Sequence, residues 1–468
     1  MGKLIVRIAS LLLIAAFLPT AVLAAEWNLE NGSIEITATA NAEGGTTQTV
    51  SQGGSSAEDS NPTITSKGKE TNNTITIKAD DGTTANVTIK DTNISTGSAA
   101  IKTEGKGNVN LNIEGTNTVS SGRNNAGVEK SNKGDLTIGS ESGEGKLTAN
   151  GGEYGAGIGG GDAQSGNDIT ITGGEIIANG GGYGAGIGGG WYGNGSDITI
   201  SGGEVTANGG RFAAGIGGGW SGNGSDITIS GGEVTANGGE AGAGIGGGYL
   251  HSGNDITISG GEVNATGGTT GAGIGGGFNG DASDIAISKD SQVEAKGGAA
   301  NGISDWGASI GCGGNYNGTP GEEVSPDTSG LYTTGKVERI RGDETVLETI
   351  IGKVDPSAKS ASSEEPDKRE PLYRVLNLDG SSLKHQAQKA DGVLALTVSA
   401  DGAILTGTLR ALGYLQNQGI EKITFTDGTH TATIVLADLI AKGEAEAVYV
   451  LTLGAANTLT LNGEAIDF

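Results

Sequence analysis

The sequence predicts an all-β chain, a right-handed parallel β-helix of three-strand turns, followed by a small α+β domain. Three observations predict it. A unit of 29 residues recurs between Gly151 and about Ala295, each copy holds three short runs of strand-forming residues, and Gly-rich turns separate those runs. None of the runs has helical periodicity.

The composition agrees with a repeat of this kind. Of 468 residues, 91 are Gly and only 7 are Pro, and no Gly-x-y period runs through the chain, which excludes collagen. Hydrophobic residues make up 34% of the chain and strand formers recur at fixed intervals, which argues against a disordered chain.

The N-terminus, residues 1–24, has the pattern of a secretory signal peptide. Lys3 and Arg7 precede an apolar run, and small residues lead to a cleavage site after Ala24. No later segment reaches about 18 consecutive apolar residues, so we expect no membrane insertion of the mature chain. The predicted location is extracellular, either secreted or associated with the cell surface.

The repeat keeps a strict register. Its best copies read GAGIGGG, a short variable turn, and then DITISGGEVTANGG. The Ile of the glycine block recurs every 29 residues, at Ile158, Ile187, Ile216, Ile245 and Ile274. The Ile after the Asp recurs with the same period, at Ile169, Ile198, Ile227, Ile256 and Ile285.

Alternation of side chains assigns the faces of each strand. In the second full unit the expected inward residues are Ala185, Ile187, Ile198, Ile200, Val205 and Ala207. The expected outward residues are Gly186, Gly188, Asp197, Thr199, Ser201, Glu204 and Thr206. Identical inward residues in every turn predict seven to nine turns stacked about 4.8 Å apart, with the right-handed connection usual for parallel strands.

Composition shifts divide the chain. Five of the seven prolines fall between residues 320 and 371, which indicates a linker with some strand structure around Tyr332 to Ile351. The predicted segments are a signal peptide (1–24), an N-terminal cap (25–70), the β-helix (71–318), a Pro-rich and charged linker (319–371) and the α+β domain (372–468). In the last, Leu394, Leu396 and Val398 alternate as in a strand, whereas Leu409, Leu412 and Leu415 fall at helical spacing.

Two columns of aromatic residues flank the glycine strand. Four residues after each repeated Ile stand Trp191, Trp220, Tyr249 and Phe278. Four residues before it stand Tyr154, Tyr183 and Phe212, with Trp306 before a diverged sixth block. The outward positions between them are almost all Gly, which predicts a flat floor between aromatic rims. Such a surface suits sugar rings, whose C–H faces stack on aromatic side chains. The alternative is a purely structural ladder of rings covering the corners of adjacent turns.

A second column is acidic. It contains Asp168, Asp197, Asp226, Asp255 and Asp284. Carboxylates about 4.8 Å apart repel each other, so something should offset the repulsion. Either turn amides cap each carboxylate, or Ca²⁺ ions bridge the column, and calcium is the single cofactor that the residues suggest.

Charge and site chemistry exclude several classes of function. The formal net charge is −26, which disfavours nucleic acid and anionic lipid surfaces and leaves divalent cations, neutral glycans or basic surfaces as partners. Cys312 is the single cysteine, so no intrachain disulfide is expected. Catalytic sites break a repeat, whereas the acidic residues here recur with the scaffold, and we therefore predict no enzyme.

The GAGIGGG and DITISGGEVTANGG units resemble secreted bacterial β-helix proteins described as carbohydrate-binding-domain proteins, relatives of pectate-lyase-like folds without their activity. The resemblance covers roughly residues 70–320 and carries no catalytic residue with it. It implies an extracellular right-handed β-helix that binds plant or host polysaccharide, in some members with Ca²⁺. The C-terminal domain is similar to small domains appended to Gram-positive gut surface proteins.

The sequence thus favours a secreted, non-catalytic polysaccharide-binding protein that uses the glycine and aromatic face. A second hypothesis is a structural or adhesive surface fibre whose flat faces pack against partners or against copies of itself. A third is a degenerate polysaccharide lyase.

Overall fold

The computed structural model describes residues 26–41, 44–298, 306–342, 345–354, 373–378, 383–390, 392–400, 402–417, 420–443, 447–454 and 457–466. The predicted signal peptide lies outside the described residues. In the described part of the chain, no helix is both long enough and apolar enough to cross a membrane.

From Glu26 the chain winds into a parallel β-helix whose turns contribute strands to three sheets, which we call A, B and C. In stacking order, sheet A consists of Glu26–Asn28, Thr63–Thr65, Thr84–Lys90, Asn108–Glu114, Leu136–Gly139, Gly166–Ile171, Gly195–Ile200, Gly224–Ile229, Gly253–Ile258 and Ala282–Ile287. A single 3₁₀ turn, Leu29–Asn31, follows the first of these strands.

Sheets B and C stack in the same way. Sheet B consists of Ser55–Glu58, Thr46–Gln52, Ile34–Ala40, Ile75–Ala79, Ile101–Gly105, Val128–Lys130, Ile158–Gly159, Ile187–Gly188, Ile216–Gly217, Ile245–Gly246, Ile274–Gly275 and Ile310–Gly311. Sheet C consists of Glu70–Thr71, Asn93–Ser95, Thr116–Ser120, Lys146–Asn150, Glu175–Asn179, Glu204–Asn208, Glu233–Asn237, Glu262–Thr266, Gln292–Lys296, Lys336–Ile340 and Val346–Ile351.

The 29-residue period of the sequence sets the register in which the strands of successive turns pair. In sheet B, Ile187 lies opposite Ile158 and Ile216, so each aliphatic side chain packs on its own copies in the turns above and below. The predicted inward set is confirmed as buried: Ala185, Ile187, Ile198, Ile200, Val205 and Ala207. Burying the four branched side chains of one turn contributes roughly 6–12 kcal/mol before the ordering entropy of the chain is subtracted.

The coil is longer than the seven to nine predicted turns, since sheet A alone has ten strands. Glu26–Asn28 and Ile34–Ala40, in the segment predicted as a cap, already join sheets A and B. Lys336–Ile340, in the segment predicted as a linker, pairs in parallel with Gln292–Lys296. These outer turns keep apolar residues at the inward positions but lack the glycine block by which the repeat is recognised in the sequence.

A buried ion pair closes the C-terminal end of the coil. Arg339 is buried, with its Nη2 atom 2.6 Å from Glu323 Oε2 and its Nη1 atom 3.2 Å from Glu348 Oε2. Glu323 also accepts a hydrogen bond from the Ser309 backbone N–H at 2.8 Å. The charges are therefore paired and hydrogen-bonded, which is the condition for burying an arginine.

An asparagine ladder runs along the end of the sheet C strands. In each turn the side-chain amide donates to the Oδ1 atom of its copy in the preceding turn at 2.8 Å, through Asn150, Asn179, Asn208 and Asn237. The ladder was not predicted, although the recurrence of Asn at the end of the TAN motif marks it in the sequence.

The C-terminal residues form a second hydrophobic core of their own. One antiparallel sheet contains Arg374–Leu376, Ile404–Thr408, Val448–Thr452, Thr458–Leu461 and Glu464–Ile466. A mixed sheet contains His385–Ala390, Val393–Val398, Lys422–Thr426 and Thr431–Val435, and the helices are Leu409–Asn417 and Leu436–Ile440. The predicted α+β class is confirmed, with Leu409, Leu412 and Leu415 buried on the longer helix.

Candidate functional site

The two predicted aromatic rims meet instead of flanking an open floor. The Trp191 backbone N–H donates to the Tyr154 carbonyl oxygen at 2.8 Å, and Trp220 makes the same bond to Tyr183. Residues 184–190 are all buried. The predicted exposed glycine floor, with Gly186 and Gly188 facing outward, is therefore wrong, because the loops before and after the glycine strand close together.

Close backbone packing explains why these positions are glycine. Gly188 has a φ of 131°, and a Cβ atom there would lie 2.1 Å from the Gly217 carbonyl oxygen in the next turn. A Cβ atom on Gly189 would lie 2.0 Å from the carbonyl oxygen of Gly193, in the loop that follows the strand. Only glycine has both the backbone freedom and the missing side chain that this approach requires. The glycines allow the covering loop to pack directly against the strand.

The aromatic side chains form one row, the aromatic ridge, made of Tyr154, Tyr183, Trp191, Tyr192, Phe212, Trp220, Tyr249, Phe278 and Tyr316. Along one side, Trp191, Trp220, Tyr249 and Phe278 lie nearly parallel, with successive ring centroids 5.8, 6.4 and 5.7 Å apart. Tyr154 stacks on Trp191 at 5.0 Å, which joins the two predicted columns. These separations are favourable for aromatic pairs, and the rings of adjacent turns stack on one another as a ladder.

Two tyrosines that the sequence analysis did not single out project furthest from the ridge. Tyr192 and Tyr316 are 53% and 64% exposed. The Tyr192 ring lies 4.5 Å from Trp191 and 4.8 Å from Trp220, and the Tyr316 hydroxyl hydrogen-bonds to the hydroxyl of Tyr249.

Tyr192 has a structural equivalent in each of the five regular turns, although no shared residue type marks the position in the sequence. It occupies a left-handed backbone position that recurs every turn, at Ala163, Tyr192, Ser221, Leu250 and Asn279. Tyr316 follows the last regular copy, and no periodicity marks it.

Trp306, the eighth predicted aromatic residue, has a different neighbour. The Arg341 guanidinium carbon lies 5.8 Å from the Trp306 ring centroid, a cation–π arrangement. Within the described residues, Trp306 makes no ring contact with the aromatic ridge, so the structure does not add it to the row of rings.

A polar ladder follows the ridge, two residues after each left-handed position. The Asn223 backbone N–H donates to Asn194 Oδ1 at 2.9 Å, and the Ser252 N–H donates to Asn223 Oδ1 at 3.1 Å. Asn194 and Asn223 are exposed. Within the described chain their side-chain nitrogens donate no hydrogen bond, so the ladder presents free amide donors along the ridge.

The ridge starts where the glycine block starts. One turn earlier, Glu129 lies opposite Gly159 in sheet B, followed by the buried Lys130. Burial raises the pKa of Glu129, against the opposing effect of Lys102, whose Nζ atom is 3.8 Å away. Burial lowers the pKa of Lys130, whose ammonium donates to a backbone carbonyl. Charged side chains occupy glycine positions here, and the ridge does not continue through this turn.

Backbone geometry accounts for the acidic column. Asp168, Asp197, Asp226, Asp255 and Asp284 all have φ between 52° and 54°. Asp168 and Asp197 are left out of the strand pairing, although their neighbours pair: Asn167 lies opposite Ser196, and Ile169 lies opposite Ile198. Asp tolerates this left-handed conformation better than most residues, so a bulge repeated in each turn selects it without any ligand.

From Asp197 onward, the acidic column also lines an open groove of about 380 Å³, together with Thr199, Thr228 and Thr257. Burial raises the pKa of Asp168, and nearby Lys130 opposes that shift. In the described chain, the carboxylates from Asp197 onward accept no hydrogen bond, so the predicted capping by turn amides is not found. Nor do any three His, Cys, Asp or Glu side chains there gather closely enough to hold a metal ion. Calcium binding stays a prediction.

Comparison with known proteins identifies the repeat. Five stretches match the family model described as "Beta helix repeat", at residues 142–162, 169–191, 198–220, 227–249 and 256–278. No curated protein and no solved structure matches the chain. With its three stacked parallel sheets, the chain is a parallel β-helix repeat protein. Four of the matched stretches end on a ridge residue, Trp191, Trp220, Tyr249 or Phe278.

Proposed function

We propose that this chain is an exported, non-catalytic polysaccharide-binding protein whose aromatic ridge contacts the sugar. The observation that carries the proposal is the unbroken row of half-buried rings from which Tyr192 and Tyr316 project, 53% and 64% exposed. Sugar C–H faces pack on such rings, while sugar hydroxyls hydrogen-bond to polar groups beside them. Asn194 and Asn223 supply those groups.

The proposed site is a row of rings that follows the axis of the coil. One of its columns presents a new ring every turn, 5.7 to 6.4 Å from the last. An extended polysaccharide lying along this axis would meet several rings in succession, and many weak contacts would add up along the chain. A short oligosaccharide would reach only one or two of them.

Charge favours a neutral polysaccharide. The formal net charge is −26, and the acidic column belongs to the strands that directly follow the ridge loops. An anionic polymer would be repelled along its length unless divalent cations intervened. Plant cell-wall and host glycans both include neutral chains, whereas nucleic acid is disfavoured for the same electrostatic reason.

The proposal also includes that the chain is exported and that it acts by binding and not by catalysis. The charged and apolar pattern before Ala24 supports secretion, with the mature chain free or held at the cell surface. The acidic residues recur with the scaffold, which supports a binding role over a catalytic one. One observation also supports the structural-fibre hypothesis. The rings pack on one another and hold the loops of adjacent turns together.

Affinity electrophoresis of the full chain tests the proposal. Gels containing a neutral cellulose derivative, pectin or mucin glycans are compared, with and without chelator. We expect retardation by a neutral polymer, weakened about tenfold or more in the Tyr192→Ala/Tyr316→Ala double variant. The Tyr192→Phe/Tyr316→Phe variant keeps the rings and should keep most of the binding.

Leu378→Ala, which removes an exposed apolar side chain of the C-terminal domain, is the matched control and should migrate as the unaltered chain does. Unretarded migration in every gel would contradict the proposal and favour the structural fibre. Retardation that the alanine double variant retains in full would move the sugar site away from the ridge.

A further inference from the structure

Sheet C ends in an apolar edge strand. Val346–Ile351 pairs antiparallel with Lys336–Ile340 on one side, and no strand of the described chain pairs with its other side. Val346 and Ile351 are 51% and 61% exposed. An uncovered edge presents unpaired backbone N–H and C=O groups, and with apolar side chains it is a template for another strand.

The other sheets end differently. At the same end of the coil, the Asp327 N–H donates to the Ile285 carbonyl of sheet A, and the Val324 N–H donates to the Ile310 carbonyl of sheet B, both at 2.8 Å. At the opposite end, the outermost strand of sheet B is Ser55–Glu58, which carries a charge and no large apolar residue. Natural edges are commonly blunted by covering chain or by charge. In the part of the chain that the structure describes, nothing covers the outer side of Val346–Ile351, and its one charged residue, Glu348, is paired with Arg339.

We infer that this edge binds a second copy of the chain, forming a two-fold dimer in which sheet C continues from one protomer into its partner. The charge of the chain limits where a second copy can bind. The net charge of −26 makes most surfaces of two copies repel each other. The single charged residue of this strand, Glu348, is already paired with Arg339 at 3.2 Å.

Two-fold symmetry then restricts the register. In an antiparallel pair of strands, the side chains of two residues that lie opposite each other are on the same face of the sheet. In a two-fold dimer of one strand, this requires that one residue lies opposite its own copy, with the symmetry axis between the two. Centring on Thr349 places Leu347 opposite Ile351 of the partner subunit, on the outer face. Centring on Glu348 would oppose two carboxylates, which is unfavourable. Of the two registers that pair five of the six strand residues, centred on Glu348 or on Thr349, only the second keeps the two carboxylates from lying opposite each other, and we assign the dimer to it.

Sedimentation velocity on the full chain over a range of concentrations tests the dimer. We expect a monomer–dimer equilibrium that Ile351→Lys weakens about tenfold or more, because it places a charge on the apolar edge. Ser56→Lys puts the same charge on the polar edge strand at the other end and should leave the equilibrium unchanged. A chain that stays monomeric at every concentration would overturn the inference, as would an Ile351→Lys variant that dimerises like the unaltered protein.

Cross-linking tests the register separately from sugar binding. In a Cys312→Ser background, Thr349→Cys places two thiols on Cα atoms about 4.5–5.5 Å apart across the axis, a separation that a disulfide spans. We expect oxidation to give a disulfide-linked dimer in higher yield from Thr349→Cys than from Glu348→Cys, with none from Ser56→Cys. Equal yields from the three variants would overturn the inference. Unchanged thermal unfolding of each variant confirms that the comparison is made on folded protein.

Discussion

Sheets B and C are built from the same repeat, but the outward sides of their regular strands differ. They are buried in sheet B and accessible in sheet C. The regular strands of sheet B, such as Ile187–Gly188, are two residues long and buried on both sides. Those of sheet C, such as Glu204–Asn208, are five residues long, with side chains alternately buried and accessible. Side-chain alternation predicted the inner face of both strands correctly. It predicted the outer face of sheet C alone, because only in sheet B does a loop close over the outward side.

The largest effect that this difference predicts is for glycine in sheet B. In Gly188→Val, the new Cβ atom would lie 2.1 Å from the Gly217 carbonyl oxygen, and the φ of 131° is strained for valine. The contact is with backbone and cannot be relieved by a rotamer change. We expect the free energy of unfolding, followed by Trp fluorescence in denaturant, to fall by more than about 4 kcal/mol.

Thr206→Val in sheet C is the matched control. Its side chain faces outward at a half-buried position, and valine is a good strand former. The free energy of unfolding should change by no more than about 0.5 kcal/mol. Equal losses in the two variants would show that the two sheets do not differ as described.

Next in size is the loss of one core side chain. Ile187→Ala empties part of the stack between Ile158 and Ile216, and the turns above and below are held by their own hydrogen bonds and cannot collapse fully into the space. We expect a loss of about 3 kcal/mol in the same unfolding assay. A loss below about 1 kcal/mol would mean that the stacked core relaxes much more than a packed interior normally does.

A smaller effect is expected from the asparagine ladder. Asn208→Ala removes one amide donor and one amide acceptor from a row in which each bond is 2.8 Å long. Since a hydrogen bond contributes about 1 kcal/mol net, the unfolding free energy should fall by about 1–2 kcal/mol. Asn223→Ala, on the exposed polar ladder, should have less effect, and a reversed order would contradict a structural role for the ladder of sheet C.

The smallest effect is electrostatic and depends on pH. Burial raises the pKa of Asp168, so its ionised form destabilises the folded state once the pH exceeds that raised pKa. Asp168→Asn keeps a residue that tolerates the left-handed backbone, and it should raise the unfolding midpoint at neutral pH. The gain should vanish as the pH falls below the pKa of an unfolded aspartate, about 3.9.

Asp427 provides a control of opposite sign. Hydrogen bonds from the backbone and ring of His430 hold the pKa of Asp427 well below its usual range. Its ionised form therefore stabilises the folded state above the unfolded pKa, and that stabilisation is lost as the pH falls through the folded pKa. Asp427→Asn should lower the midpoint of the C-terminal domain at neutral pH. The same sign of change in both variants would contradict this assignment.

Much of the fold was predictable because periodicity reports side-chain burial directly. The spacing of Ile158, Ile187 and Ile216 predicted the strand register, and Leu409, Leu412 and Leu415 predicted the helix Leu409–Asn417. The outer turns were harder, because Ile34 and Val337 occupy inward positions without a glycine block beside them. Such a strand can be identified only in the structure, where it pairs with the strand of the neighbouring turn.

The sequence predicted most of the residues of the candidate site, but not how they are arranged. The register identified seven of the ridge aromatics, but a 29-residue spacing says nothing about how a loop folds back over its own strand. Tyr192 escaped notice because its position is set by a left-handed turn, where side-chain alternation does not apply. Tyr316 escaped because its neighbour Phe278 lies 38 residues away in the sequence.

The sequence by itself determined which residues repeat, and hence which side chains stack upon their copies, because identical spacing brings identical positions together in a coil of constant turn length. The tertiary structure alone decided what covers each face. Glycine is compatible with an open floor and with a tightly packed wall, and the choice depends on contacts between loops of successive turns. Those contacts convert the predicted floor and rims into a single ridge of aromatic rings.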